Sequence, residues 1–212
     1  MHLRIITASV LAGLLAAGCT SQGSKPMAKA SGKPKLMMGA SASMLANTCA
    51  GCHGTSGQSM GPATPTIAGM DEEYLIETMQ AYKNGERVNT IMTRIAKGYT
   101  DTEIEQIAGA LSKQKYRGVR QTSMGPKAKM GGKLHDKYCE KCHEDGGTSV
   151  EDTPLAGQWM PYLSVTIQDY LDGHNNPEKK MTKAINKMMA DHPNMTKAQL
   201  AESLTHYYGS RK

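Results

Sequence analysis

The sequence predicts an all-α protein built as two tandem modules, and three observations predict it. Helix start and stop signals recur along the 212 residues, and few segments alternate at the period of a strand. The pentapeptide Cys-X-X-Cys-His occurs twice, as Cys49-Ala50-Gly51-Cys52-His53 and as Cys139-Glu140-Lys141-Cys142-His143. The chain also matches itself. Cys49 meets Cys139 at a shift of 90 residues, and Ile67-Ala68-Gly69 meets Leu155-Ala156-Gly157 at a shift of 88. At that second shift Tyr74, Leu75, Thr78, Gln80, Tyr82 and Gly85 meet Tyr162, Leu163, Thr166, Gln168, Tyr170 and Gly173.

The pentapeptide is the spacing for covalent haem attachment, with thioether bonds from both cysteines and iron ligation by the adjacent histidine. A disulfide within each pair needs no histidine behind it. A zinc site needs further Cys or His at comparable spacing, and His2, His135, His174, His192 and His206 form no such pattern. Two covalently bound haem c groups are therefore the expected cofactors, and electron transfer the expected work. Each module is small for an independent core, and the chain has no Phe and one Trp, Trp159. Haem supplies the missing apolar mass.

Taken in order, residues 1–18 read as a signal peptide. Arg4 precedes a short apolar run from Ile5 to Ala17, too short to cross a bilayer as a helix. Leu15-Ala16-Ala17-Gly18-Cys19 resembles a bacterial lipoprotein box, although Ala16 stands where Leu is usual, and makes Cys19 the expected lipidation site. Residues 19–42 are rich in Ser, Gly, Lys, Pro, Ala and Met and read as a flexible tether. Export to the periplasm, with the chain tied to a membrane through Cys19, is the expected location.

The first module spans 43–116. Ser43 to Cys49 reads as a helix leading into the first pentapeptide. Asp71 to Asn84 opens on Asp-Glu-Glu and ends at Asn84-Gly85. Thr100-Asp101-Thr102-Glu103 has the form of a capping box for a helix to about Gln114. Residues 117–130 read as a linker, with Gly, Lys, Arg, Ser and Pro dominant. The second module spans 131–212, with helices expected over Gly132 to Cys139, Met160 to Leu171, Met181 to Met189 and Thr196 to Tyr207.

Helices in this order around such a site resemble class I cytochrome c, so the fold class is two tandem class I cytochrome c domains, each around one covalent haem. The resemblance implies His53 and His143 as ligands on one face of each iron. It also implies a distal Met on a loop just before the last helix. Met92 lies 39 residues past His53, and Met181 lies 38 past His143. Met60, Met70 and Met79 are badly placed rivals in the first module. Met188 and Met189, expected within a helix, are rivals in the second. A proline carbonyl is expected to hold the proximal ring, from Pro62 or Pro65 in module one and Pro154 in module two.

A closer resemblance rests on longer runs. Gly61-Pro62-Ala63-Thr64-Pro65-Thr66-Ile67-Ala68-Gly69-Met70 and Thr90-Ile91-Met92-Thr93-Arg94-Ile95-Ala96-Lys97-Gly98-Tyr99 belong to it. So do Lys133-Leu134-His135-Asp136-Lys137-Tyr138 and Leu155-Ala156-Gly157-Gln158-Trp159-Met160-Pro161-Tyr162-Leu163. These resemble the dihaem cytochrome subunit of flavocytochrome c sulfide dehydrogenase, over about 43 to 208. The resemblance implies an FAD-containing partner that oxidises sulfide while this chain carries electrons to a soluble c-type cytochrome or similar acceptor. On that reading the chain is no enzyme by itself. Cys19 departs from the free periplasmic subunits of that family.

Two other readings share part of this pattern. One is a stand-alone lipid-anchored dihaem carrier feeding a terminal oxidase. The other is a haem enzyme, which needs an open or unusually ligated iron. No Gly-X-Gly-X-X-Gly follows a strand signal, so FAD belongs on another chain. The formal charge is +6, but no nucleic-acid motif accompanies it. Lys179, Lys180 and Lys183 flank Met181 and read first as a solvated face.

Overall fold

Order along the chain comes from helix caps that the sequence supplies. The computed structural model describes residues 39–87, 91–149, 153–175 and 179–212. The signal segment, Cys19 and most of the tether lie outside the described residues, as do Asn89, Thr90 and Pro177. In the first module α1 is Ala42–Asn47, with the Ser41 hydroxyl accepting from the Met44 N–H at 3.3 Å. The short α2, Ala50–His53, follows at once. Helix α3, Glu72–Asn84, is capped by Asp71, whose carboxylate accepts from the Tyr74 N–H, and it stops at Gly85 in the left-handed region, φ 78°. Helix α4 is Met92–Ala96. Helix α5, Asp101–Leu111, carries the expected capping box between Thr100 and Glu103.

The second module repeats this plan with longer parts. Helix α6 is Gly125–Tyr138, and the one-turn α7 is Glu144–Gly147. Helix α8, Met160–Asp172, ends at Gly173 with φ 75°. Helix α9 is Lys179–Asp191. Helix α10, Lys197–Gly209, opens on a second capping box, Thr196 with Gln199. No strand occurs among the described residues.

Two differences from expectation have plain causes. The stretch read as linker through residue 130 is helical from Gly125, because Pro126 sits in the first turn, where its missing N–H costs nothing. Met181 is not on a loop before a helix but in the first turn of α9, and α9 is an amphipathic helix with Met188 buried further along it. Met92 likewise opens α4 rather than preceding it.

Each module has its own core. Leu45, Met70, Leu75, Ile107, Ala108 and Leu111 pack α1, α3 and α5 together. Leu134, Leu163, Leu171, Met188, Leu200, Leu204 and Tyr208 do the same for α6, α8, α9 and α10. Polar contacts join the two modules. The Gln158 side chain accepts from the Thr66 N–H and donates to the Thr66 carbonyl, both at 2.9 Å. The Gln58 side chain bridges the Arg117 carbonyl at 2.8 Å and its N–H at 3.1 Å. The Trp159 indole donates to the Ser59 carbonyl at 3.3 Å, and the Tyr116 hydroxyl to the Ala156 carbonyl at 2.9 Å.

Candidate haem sites

Each pentapeptide folds into a single tight turn at the end of its leading helix. The Cys49 carbonyl accepts from the Cys52 N–H at 3.2 Å and the His53 N–H at 2.9 Å. The Cys139 carbonyl accepts from Cys142 at 3.1 Å and His143 at 2.9 Å. The same turn is therefore built twice. All four cysteines are free thiols, so neither pair is closed as a disulfide. In each pair the first cysteine is partly buried and the second exposed. Burial raises the Cys49 thiol, and it pushes Cys139 up to about 11.

His53 is buried, and its Nδ1 donates to the Pro65 carbonyl at 2.8 Å. This singles out Pro65 over Pro62. With Nδ1 held, Nε2 is the nitrogen left for iron. Burial lowers the His53 pKa, and the Pro65 hydrogen bond opposes that only in part. A neutral imidazole is the form that binds a metal. In module two Pro154 is fully buried, and the 88-residue shift sets it opposite Thr66 rather than Pro65.

Burial sets aside Met70 and Met188, whereas Met79 and Met189 are half-buried like Met92 and Met181. Met70 is 4% exposed inside the first core and Met188 is 2% exposed inside the second, so both are packing residues. Met60 is 86% exposed. Met92 and Met181 are half-buried at the starts of equivalent helices. Beside Met92 the apolar side chains of Ile91 and Ile95 stand 59% and 38% exposed. In module two a cavity of about 230 Å³ opens between α8 and α9, lined by Leu171, Ile185, Met189 and Asn175 among others. A thiol pair, a neutral imidazole with one nitrogen held, nearby thioether sulfur and uncovered apolar side chains fit an apolar macrocycle carrying iron.

One cluster of three metal-compatible side chains occurs among the described residues, His135 with Asp136 and Glu140. It does not include a cysteine, and both His135 nitrogens are already used. Nδ1 bonds the Tyr208 hydroxyl at 2.9 Å and Nε2 bonds Glu140 at 2.5 Å. This fully buried histidine ties α6 to α10 beside the second site.

The family profile for cytochrome c matches residues 39–114. The cytochrome subunit of sulfide dehydrogenase from Chlorobaculum tepidum is 42% identical over 49% of this chain and 94% of its own length. The chain belongs to the cytochrome c family. A second relative of this cytochrome is the thiosulfate dehydrogenase electron acceptor of Stutzerimonas stutzeri, 28% identical over 73% of this chain and 78% of that protein. The crystal structure of reduced cytochrome c4 from Pseudomonas stutzeri overlays with a TM-score of 0.67, at 23% identity, covering 81% of this chain and 97% of its own. The cytochrome is thus an all-α protein of two tandem class I cytochrome c domains, with two covalently bound haem c groups at its two Cys-X-X-Cys-His sites. It is an electron-transfer dihaem cytochrome.

Proposed function

We propose that this cytochrome takes electrons from an FAD-containing sulfide dehydrogenase chain and passes them to a soluble c-type cytochrome or another respiratory or photosynthetic acceptor. The observation that carries this reading is its likeness to the cytochrome subunit of sulfide dehydrogenase along nearly all of that relative. Haem c, when bound, supplies a one-electron iron couple. Cys49 with Cys52 and Cys139 with Cys142 fix the position of each group by two thioether bonds. His53 and His143 each give iron a nitrogen, and Pro65 keeps the His53 ring turned to do so. Met92 and Met181 are the residues that would offer iron a sulfur ligand, and thioether ligation would favour the reduced state. The first domain is that of the sequence reading, 43–116; the second takes in all of α6 and runs 125–212, so the joining segment is 117–124. With both iron faces closed, the chain leaves sulfide oxidation to its partner.

Arg4, the apolar run after it and Cys19 support export and a lipid tether, which holds the cytochrome at a membrane in the periplasm. A stand-alone carrier is the second reading, favoured by the relative named an electron acceptor. Purification of the haem-loaded chain from its native membrane fraction separates the two. Bound FAD in a fixed ratio, with haem reduction on adding sulfide, supports the flavocytochrome reading. Haem without flavin, reduced only by another donor, leaves the stand-alone carrier.

A further inference from the structure

One peptide group joins the two modules at the first iron site. Its carbonyl is that of Pro65, which accepts from His53 Nδ1 at 2.8 Å. Its N–H is that of Thr66, which donates at 2.9 Å to Oε1 of Gln158, a residue of the second module. Gln158 Nε2 donates in turn to the Thr66 carbonyl at 2.9 Å, so the amide grips Thr66 at both of its backbone groups. This pattern fixes which way the amide points, because a backbone N–H only donates and a carbonyl only accepts. His53, Thr66 and Gln158 are all buried. Gln158 is itself held in place. Its carbonyl accepts from Gln121 Nε2 at 2.9 Å, and its Oε1 also accepts from the Trp159 N–H at 3.2 Å.

The arrangement is not returned by the other half of the repeat. At the shift of 88, Pro154 stands where Thr66 stands, and Met70 where Gln158 stands. Pro154 has no N–H to donate. Met70 packs inside the first core. At these matching places, contact therefore runs from the second module to the ligand-holding peptide of the first, and not the other way.

A peptide whose N–H is bonded has a more polarised carbonyl, and buried chains of hydrogen bonds strengthen one another. The Pro65 carbonyl then holds the His53 Nδ1–H more firmly. That fixes the ring and makes Nε2 a more basic ligand, which favours oxidised iron. We propose that Gln158 is a positioning residue for the first iron, through which the second module sets the hold on His53 and lowers the potential of module one. Docking of the modules thereby acts on the first redox centre by a path with no equivalent at Pro154 and Met70. This rests on His53 as the iron ligand of module one, and not on which protein supplies the electron.

The test takes the full chain loaded with both haems, its histidine rings isotopically labelled, and compares Gln158→Leu with Gln158→Glu. Leucine takes the acceptor away from the Thr66 N–H, and glutamate keeps one there. In proton NMR of reduced Gln158→Leu, the His53 Nδ1–H signal is expected to move upfield, as a weaker hydrogen bond requires, with the His143 ring signals in place. Spectroelectrochemical titration of the same variant is expected to show one midpoint raised and the other unmoved. The change is about threefold in the ratio of oxidised to reduced iron, or about 28 mV for one electron. Gln158→Glu is expected to leave the Nδ1–H signal at its wild-type place or downfield of it, and to raise neither midpoint. A fixed Nδ1–H signal in Gln158→Leu, two midpoints that move together, or equal rises in both variants overturns the proposal. The last of these results means that a loosened junction alone moves the potential. His53 ring protons with no haem-induced shift overturn the ligation on which the proposal stands, a result distinct from an unmoved Nδ1–H.

Discussion

At the scale of single residues, burial separates Met181 from Met188 among the sixteen methionines, though not from the half-buried Met189. Met188 packs against the second core at 2% exposure, whereas Met181 opens the same helix half-buried. Both lie in α9, which begins two residues before the start expected at Met181. Their substitutions do separate them. Met181→Ala and Met92→Ala are each expected to open one iron face, so that the reduced variant binds about one carbon monoxide per chain where the wild type binds none. Met188→Ala is expected to bind none and to lose about 2–5 kcal/mol of stability through the cavity it leaves. Carbon monoxide difference spectra and urea unfolding read the two effects. The pentapeptides were legible at once, because covalent attachment demands fixed spacing. The choice of Pro65 over Pro62 was not. Only the path of the loop brings one of the two carbonyls within 2.8 Å of His53 Nδ1.

At the scale of elements, the caps were legible and one boundary was not. Asp71, the Thr100–Glu103 box and the glycines after α3 and α8 mark helix ends by local chemistry, which sequence displays directly. The start of α6 is hidden because Gly125, Gly131 and Gly132 look like breakers. Gly131 instead serves packing, since a Cβ there would overlap the Ser203 carbonyl of α10. The contact between Gln158 and Thr66 is equally invisible in sequence, because its partners lie 92 residues apart and follow no period. Gln158 is 1% exposed, so Gln158→Ala leaves a buried Thr66 N–H and carbonyl without their partner. A loss of about 2–5 kcal/mol is expected in urea unfolding of the haem-loaded chain. If instead stability is unchanged, this pair does not hold the modules together.

At the scale of the whole molecule, duplication explains most of the architecture. Two cores of the same plan form around two turns with the same carbonyl-to-N–H bonds, and the repeat was visible as identities at shifts of 90 and 88. The junction was not visible. It is made by Gln58 with Arg117, Gln158 with Thr66, and Trp159 with Ser59, contacts that exist only once the copies face each other. The proposed electron donor is a flavoprotein that oxidises sulfide. Stopped-flow absorbance of the haem-loaded chain, mixed with the purified flavoprotein and sulfide, is the test. Both haems are expected to be reduced at a rate that saturates with flavoprotein and vanishes without it. Haems that stay oxidised in that mixture, yet reduce at once with dithionite, would contradict it.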